Sequence, residues 1–308
     1  MQQEAGKSAM NLAPSKFYVD VSDRSILGLE GSDGLDLLQR ITTNDVAKLK
    51  VGEHAETVLL TDKGRIVDVV TVFRISVNSL ILSGASKKSD ELSKWIGRFI
   101  VMEDARLSSF SGQRVQILVF NLEGNDVTTE LAGSNIYFAE LKYPGPKQTL
   151  FIASKENQHA LVAFLERNEI PSISAEDYES IRIRNAIPCF PNEFSTQFNP
   201  LEVGLRGLVS FSKGCYVGQE VIARLDTYQK VQKSVRRLRL SLVPEHLPID
   251  LLTKDNVKVG TLTSCSRPSR PDEPIFGLGL ISTNQEEMKL IYPQFKNDFN
   301  GKAEVLSQ

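Results

Sequence analysis

The densest chemistry in this chain lies in Lys213-Gly214-Cys215-Tyr216-Val217-Gly218-Gln219-Glu220. A thiol, a cation two residues before it, an aromatic ring, an amide and a carboxylate share this stretch with two glycines, which let the backbone turn sharply or approach a ligand. Lys213 and a loop running into a helix start would both favour the thiolate of Cys215, so a reactive cysteine is one reading. The plainer reading is a tight turn between the apolar runs 208–211 and 221–223, with Cys215 a small packing residue. Residue types alone leave both open.

Other polar residues stand where an apolar pattern would not put them. Asp68 interrupts Ile66-Val67-Asp68-Val69-Val70; alternation along a strand turns it to solvent, whereas a buried carboxylate there would need partners. Glu202 stands between Leu201 and Val203 in a loop, and a carboxylate of this kind can accept two parallel hydrogen bonds from an amino-pyrimidine edge. Thr42-Thr43-Asn44-Asp45 ends a helical pattern, the usual place for side chains that satisfy orphan backbone groups. Arg182 and Arg184 share a helix, and Glu220 and Arg224 are spaced i,i+4, which suits a surface ion pair.

The octapeptide with its continuation Val221-Ile222-Ala223-Arg224 resembles the signature of YgfZ-type folate-binding proteins, relatives of the glycine-cleavage T-protein (aminomethyltransferase). Leu38-Gln39-Arg40-Ile41-Thr42-Thr43-Asn44-Asp45-Val46, Arg182-Ile183-Arg184-Asn185-Ala186-Ile187-Pro188, Asn199-Pro200-Leu201-Glu202-Val203-Gly204-Leu205 and Val259-Gly260-Thr261-Leu262-Thr263-Ser264 extend the likeness over nearly the whole chain. The resemblance implies an α+β, aminomethyltransferase-like fold with mixed and antiparallel sheets and a small C-terminal β-barrel. It implies a tetrahydrofolate site in which Glu202 binds the pterin, Arg224 holds the glutamate tail at the cavity mouth, and Asn44, Asp45, Arg182 and Tyr216 line the cavity. Cys215 and Asp68 are its candidate catalytic groups, and Lys213, Gly214, Gly218, Gln219 and Glu220 frame the thiol. The chain departs from the transferases at two acids: Val69 replaces the second of two adjacent aspartates, and Arg184 stands where the pattern has an acid.

Around these residues the elements read as follows. Strand patterns cover 17–21, 26–29, 54–60, 65–75, 79–84, 115–120, 135–141 and 148–153; Thr61-Asp62-Lys63-Gly64 and Tyr143-Pro144-Gly145-Pro146 are turn signals. Helical spacing follows Ser32 and Ser89 and covers 156–168, 175–186 and the segment after Glu220. Strands with scattered helices, lacking regular βαβ alternation, predict α+β. Beyond 231 the alternation of 235–242 and the strands 257–263 and 276–281 predict a β-barrel. The expected division is a flexible tail over 1–16, a folate-binding region over 17–230 with subdomains at 17–50 plus 121–230 and at 51–120, and the barrel over 231–308.

With 308 residues the chain can build more than one core. A net charge of −2 gives no overall field for nucleic-acid phosphates, although Lys230, Lys233, Arg236, Arg237 and Arg239 form a local basic band. The odd count of cysteines (Cys189, Cys215, Cys265) argues against a disulfide framework, and His54, His159 and His246 lie too far apart in sequence to suggest a metal site. No apolar run approaches the ~20 residues of a membrane span, and the first sixteen residues lack a secretory core. A cytoplasmic protein is expected.

Three functions compete. The first is a tetrahydrofolate-binding accessory protein that supports maturation or repair of iron–sulfur enzymes and, through them, tRNA modification, with those enzymes or assembly proteins as partners and no direct nucleic-acid binding. The second is a folate-dependent aminomethyltransferase or demethylase. The third is an interaction scaffold with a vestigial cavity.

Overall fold

A computed structural model describes residues 15–122, 131, 134–228, 231–268, 270–282, 290–293 and 301–306. The predicted tail lies outside them up to residue 14, as do Lys230 of the basic band and Ser269 of the loop between the last two predicted strands.

Two antiparallel sheets and a barrel account for the strands. The five-stranded sheet has the order β3 (His54–Leu60), β4 (Ile66–Ser76), β5 (Ser79–Gly84), β2 (Ile26–Glu30), β6 (Arg106–Ser109). The four-stranded sheet runs β1 (Phe17–Asp20), β7 (Arg114–Phe120), β9 (Gln148–Ser154), β8 (Tyr137–Leu141). The closed barrel runs β10 (Lys233–Leu240), β13 (Ile275–Ser282), β12 (Lys258–Cys265), β11 (Ile249–Leu252), β14 (Leu290–Pro293), β15 (Ala303–Val305), with β15 returning to β10. The expected α+β class and C-terminal barrel are present.

The pairing divides the chain differently from borders at 50 and 120. β1 joins the downstream sheet through β7, but β2 pairs β5 and β6, so it and α1 (Gly34–Ile41) belong with the segment that follows.

Strand alternation gives the five-stranded sheet two apolar faces. Leu27, Leu29, Leu59, Val70, Val72, Leu80 and Leu82 pack under α1 and α2 (Ser89–Gly97), whose Leu37, Leu38, Ile41, Leu92 and Ile96 complete that core. Ile26, Phe73 and Ile81 point the other way, onto Leu118, Phe120, Leu150 and Ile152 of the four-stranded sheet. The second sheet's outer face is covered by α3 (Gln158–Arg167) through Leu161, Phe164 and Leu165. Between the sheets Ser83 Oγ donates to Gln116 Oε1 at 2.5 Å, and Gln116 Nε2 donates to the Arg24 carbonyl at 3.0 Å, so this buried polar pair is satisfied.

Neither serine that precedes a helical pattern in the first half of the chain caps its helix. The Ser32 hydroxyl and amide both donate to Asp104, and Ser89 Oγ meets Ser111 Oγ at 2.7 Å. Ser174 does cap α4 (Ala175–Arg184), its hydroxyl accepting from Asp177 N–H at 3.0 Å.

Arg182 belongs to the joint between α4 and the barrel. It is fully buried (0% exposed) and donates to Glu179, to Glu193 Oε2 at 3.2 Å, to the Ile187 carbonyl at 3.3 Å and to Ser264 Oγ at 2.8 Å. Glu193 in turn accepts from Thr263 Oγ1 at 2.5 Å and Ser264 Oγ at 2.7 Å on β12. Removing one partner of such a network strands the other charge without solvent. Arg182→Ala is therefore expected to lower the unfolding free energy by about 3–5 kcal/mol, read by denaturant titration; a loss below about 1 kcal/mol would mean that the knot carries no stability.

Candidate functional site

The cysteine motif folds around the edge strand β3. Tyr216 is buried with Val58, Leu60, Ile66, Val69, Phe194, Leu205 and Leu208 on the inner face of the sheet, while Val217 packs with the core under α1 and α2. Burial pushes the Tyr216 hydroxyl up to about 12. Gly218 has φ +81° and begins α5 (Gln219–Thr227). A Cβ there would stand 2.6 Å from the Thr61 carbonyl and 3.2 Å from Gly64 Cα, so only glycine lets the motif close on the β3–β4 turn. Gly64, at φ +66°, fills the left-handed position that the turn signal predicts.

Lys213 turns inward. Its ammonium donates at 2.7 Å to each of the Gln39, Thr42 and Asn44 carbonyls, in and just past the last turn of α1, and lies 5.3 Å from the Tyr216 ring centroid. A cation at a helix C-terminus satisfies orphan carbonyls and opposes the negative end of the helix dipole. Burial lowers its pKa to about 8. This amine is spent on backbone oxygens and leaves no donor directed at the thiol, contrary to the role that residue types suggested. Cys215 itself is exposed, as is Gly214 beside it.

Two of these carbonyls, those of Thr42 and Asn44, belong to the Thr42–Asp45 turn. Thr43 Oγ1 donates to the Leu208 carbonyl at 2.7 Å, and Ser210 N–H donates to the Thr43 carbonyl at 2.9 Å, tying this turn to the segment before the motif. Asn44 donates to the Glu56 carbonyl at 2.7 Å. Asp45 accepts from Lys48 at 2.6 Å and Gln39 at 3.1 Å, and the Lys48 bond holds its carboxyl below the usual range.

Glu202 meets the same neighbourhood from the other end of the hairpin. Its side chain is 12% exposed; Oε2 accepts from Asn199 N–H at 2.9 Å and from Arg65 Nη1 at 3.4 Å, while Oε1 takes no hydrogen bond from the described residues. Its carbonyl accepts from Val235 N–H at 3.0 Å, which seats the barrel against the loop.

Asp68, Arg182 and Arg224 are placed elsewhere. Asp68 is buried, not turned to solvent, because β4 runs inside the sheet and is covered on both faces. It shares the helix-covered face with Val70 and Val72. There Oδ1 accepts from the Val69, Ala85 and Ser86 amides at 2.8, 3.0 and 3.1 Å, and Oδ2 accepts from Ser86 Oγ at 2.6 Å. Burial raises its pKa to about 6 against the pull of these donors. The carboxyl thus pins the β5–α2 loop, and the inward-facing neighbour is Val69. Arg182 is consumed by the α4–barrel joint. Arg224 is exposed on α5, and among the described residues it makes no ion pair with Glu220, which is also exposed, as is the other helix-start side chain Gln219 in part.

One acid escaped the sequence reading. Glu56 is 4% exposed and lies on the inner face of β3 with Val58 and Leu60, opposite Thr71. Oε2 accepts from Lys142 N–H at 2.5 Å, and Oε1 is buried without a partner. The signal was an acid at an inward position of an otherwise apolar alternation.

Against this geometry the chain's relatives fall into one group. The family described as the GCVT N-terminal domain matches residues 2–151. A chloroplastic protein of Arabidopsis thaliana, whose name places it provisionally among the transferases, is 27% identical over 85% of this chain; the match spans 64% of that longer protein. An aminomethyltransferase of Halalkalibacterium halodurans is 23% identical over 87% of this chain and 79% of its own length. The crystal structure of the glycine cleavage system aminomethyltransferase T from Bartonella henselae superposes with a TM-score of 0.75 at 15% identity, covering 95% of this chain and 85% of that one.

The family match over residues 2–151, these relatives and the superposition together support the GcvT-like superfamily. That superfamily uses tetrahydrofolate. Among the described residues no helix is long and apolar enough to cross a membrane, and no group of three or more His, Cys, Asp or Glu side chains is placed to hold a metal ion.

The three thiols differ in access. Cys189 and Cys265 are half-buried, and burial pushes each up to about 12, whereas Cys215 is exposed. A thiolate-directed reagent is expected to modify Cys215 first in the folded protein and the other two only on unfolding, as peptide mapping after timed quenching would show. Equal labelling of all three before unfolding would contradict this arrangement.

Proposed function

We propose that this protein binds tetrahydrofolate between the inner sheet face and the Glu202 loop, and that it acts as a YgfZ-type accessory factor without running an aminomethyl-transfer cycle. The observation that carries the second part is the Asp68–Val69 pair. A transfer reaction needs a carboxylate near the substrate amine to orient it and to offset developing positive charge. Here the acid faces α2 with both oxygens bonded to the β5–α2 loop, and the residue facing inward is an aliphatic side chain.

Glu202 supports the folate reading. It is shielded from bulk water and positioned by Arg65 and the Asn199 amide, and its free Oε1 is available to a pterin N–H. Asn44, Asp45 and Tyr216 stand in the same neighbourhood but have their polar atoms directed to protein partners or, for Tyr216, its ring into apolar packing. They shape the site in this reading. Arg224, exposed and without an ion pair among the described residues, can meet the anionic tail. Arg182 is not retained as a folate ligand.

The exposed Cys215 extends the reading to partners. A thiol on an open arch beside the cavity suits contact with iron–sulfur enzymes or the proteins that assemble their clusters, and through them supports tRNA modification. A cytoplasmic setting stays part of this reading, although the plant relative is named as chloroplastic. The second reading, aminomethyltransferase or demethylase, is favoured by the relatives of that name.

Titrating the full chain with tetrahydrofolate by calorimetry tests the first part. Binding is expected, and Glu202→Gln should weaken it at least tenfold, a loss of about 1.4 kcal/mol. Cys215→Ser should leave affinity unchanged and lower cluster-enzyme activities in cells. Folate-dependent release of formaldehyde or ammonia from aminomethyl donors, at rates above background, would overturn the accessory reading in favour of the transferase.

A further inference from the structure

We infer that Glu56 is a ligand-binding acid in the space between the two sheets, where its Oε1 accepts a hydrogen bond from a protonated amine or a ring N–H of the bound molecule. The inference rests on the folate reading for the identity of that molecule, and on geometry for everything else.

Glu56 projects from the edge strand toward the four-stranded sheet, where β8 ends. Lys142 N–H, the first residue past β8, holds Oε2 at 2.5 Å. With that oxygen fixed and the Glu56 carbonyl held by Asn44 at 2.7 Å, the side chain has little freedom to reach water or another donor. Oε1 nevertheless has no partner. A buried acceptor left unbonded costs stability, and native proteins keep few of them, mostly where a ligand or ordered solvent supplies the missing bond.

Tyr143, the next residue after Lys142, shows that the surroundings have room. It packs against both inner clusters, touches Phe194 edge-on at a centroid distance of 5.9 Å, and still keeps accessible surface. Tyr178, from α4, is likewise half-buried within the inter-sheet cluster. Side chains that retain accessible surface inside a core border an opening. A polar island of Glu56, Thr71, Tyr143 and Tyr178 therefore faces a gap in otherwise apolar packing. An acceptor-only carboxylate in such a gap selects a ligand that brings N–H donors, preferably cationic ones.

The charge state supports the same role. Burial raises the Glu56 carboxyl to about 7, opposed by the Lys142 amide and, more weakly, the Lys142 cation. The other titratable groups around it are His54 two residues earlier on the same strand face, Tyr143, and beyond Tyr143 the groups Arg24, Asp68 and Tyr178. An acid poised near neutrality is half protonated when empty and loses that proton when a donor docks.

The experiment is calorimetric titration with tetrahydrofolate at pH 6, 7 and 8 in buffers of different ionisation enthalpy, on the wild-type chain and Glu56→Gln, with thermal melts of both empty proteins. Wild-type binding should release about half a proton at pH 7 and tighten about tenfold from pH 6 to pH 8, following the ionised fraction of a group with pKa near 7. Glu56→Gln should bind at least tenfold more weakly at pH 8, with a flat pH profile and no proton release. The empty variant should melt higher than wild type at pH 8. The raised folded-state pKa gives Glu56 a stabilising contribution that is complete below about pH 4.5 and lost as pH rises through about 7.

Wild-type binding that releases no proton and ignores pH would overturn the inference even if the variant failed to fold. So would a folded Glu56→Gln that binds as wild type does, and the acid would then be structural. A wild-type protein that does not bind tetrahydrofolate at all sinks the folate reading first, and this inference with it.

Discussion

Where α1 ends, the carbonyls of Gln39, Thr42 and Asn44 converge on one ammonium, that of Lys213. A buried lysine would ordinarily be expensive, and its lowered pKa records that cost. Three carbonyl acceptors and the negative end of a helix offset it. The result is a fixed point that joins residues about 170 positions apart in sequence. From that point the chain can only pass around the edge of β3, setting Tyr216 on one side of the sheet and Val217 on the other. Gly218 then closes the passage against the β3–β4 turn, where no other residue fits. The Asn44 turn, the hairpin, the Glu202 loop and the motif are neighbours because this strand edge is wrapped.

The wrapping also bears on where the acids sit. The inner face of the five-stranded sheet meets the four-stranded sheet and the barrel, which enclose it. Its acids divide between the two faces. Asp68 looks away from the enclosure and serves the loop before α2, Val69 looks in, and Glu56, two ladder positions along on the neighbouring strand, presents the inward carboxyl. Burial, more than any charge partner, sets the character of both acids.

Much of the architecture was legible in the residues themselves. Alternation marked the strands of the barrel, the Thr61–Gly64 turn carried its glycine where a left-handed residue is required, and helical spacing marked α4. Alternation alone turns Asp68 to solvent, but it orients a residue only when one face of a strand is wet, and β4 is dry on both; the alternative of a buried, partnered carboxylate is the one found. Arg182 was misread because its partners come from Glu193 and from Ser264 on the barrel, a distance no local pattern spans. The subdomain borders failed for a related reason: β2 finds its neighbour in β5 across the whole hairpin between them. Lys213 looked like an electrostatic partner of the thiol because they stand two positions apart in sequence. On an arch bent around a strand edge, that spacing puts them on opposite sides.

Cys215 rides on a span fastened at both feet, by Lys213 on one side and by Tyr216 with Gly218 on the other, while contributing nothing to either fastening. Folding therefore exerts no selection on the sulfur. A serine, an alanine or a bulky adduct at that point would leave the scaffold intact, so any role of the thiol lies in what it meets outside the molecule.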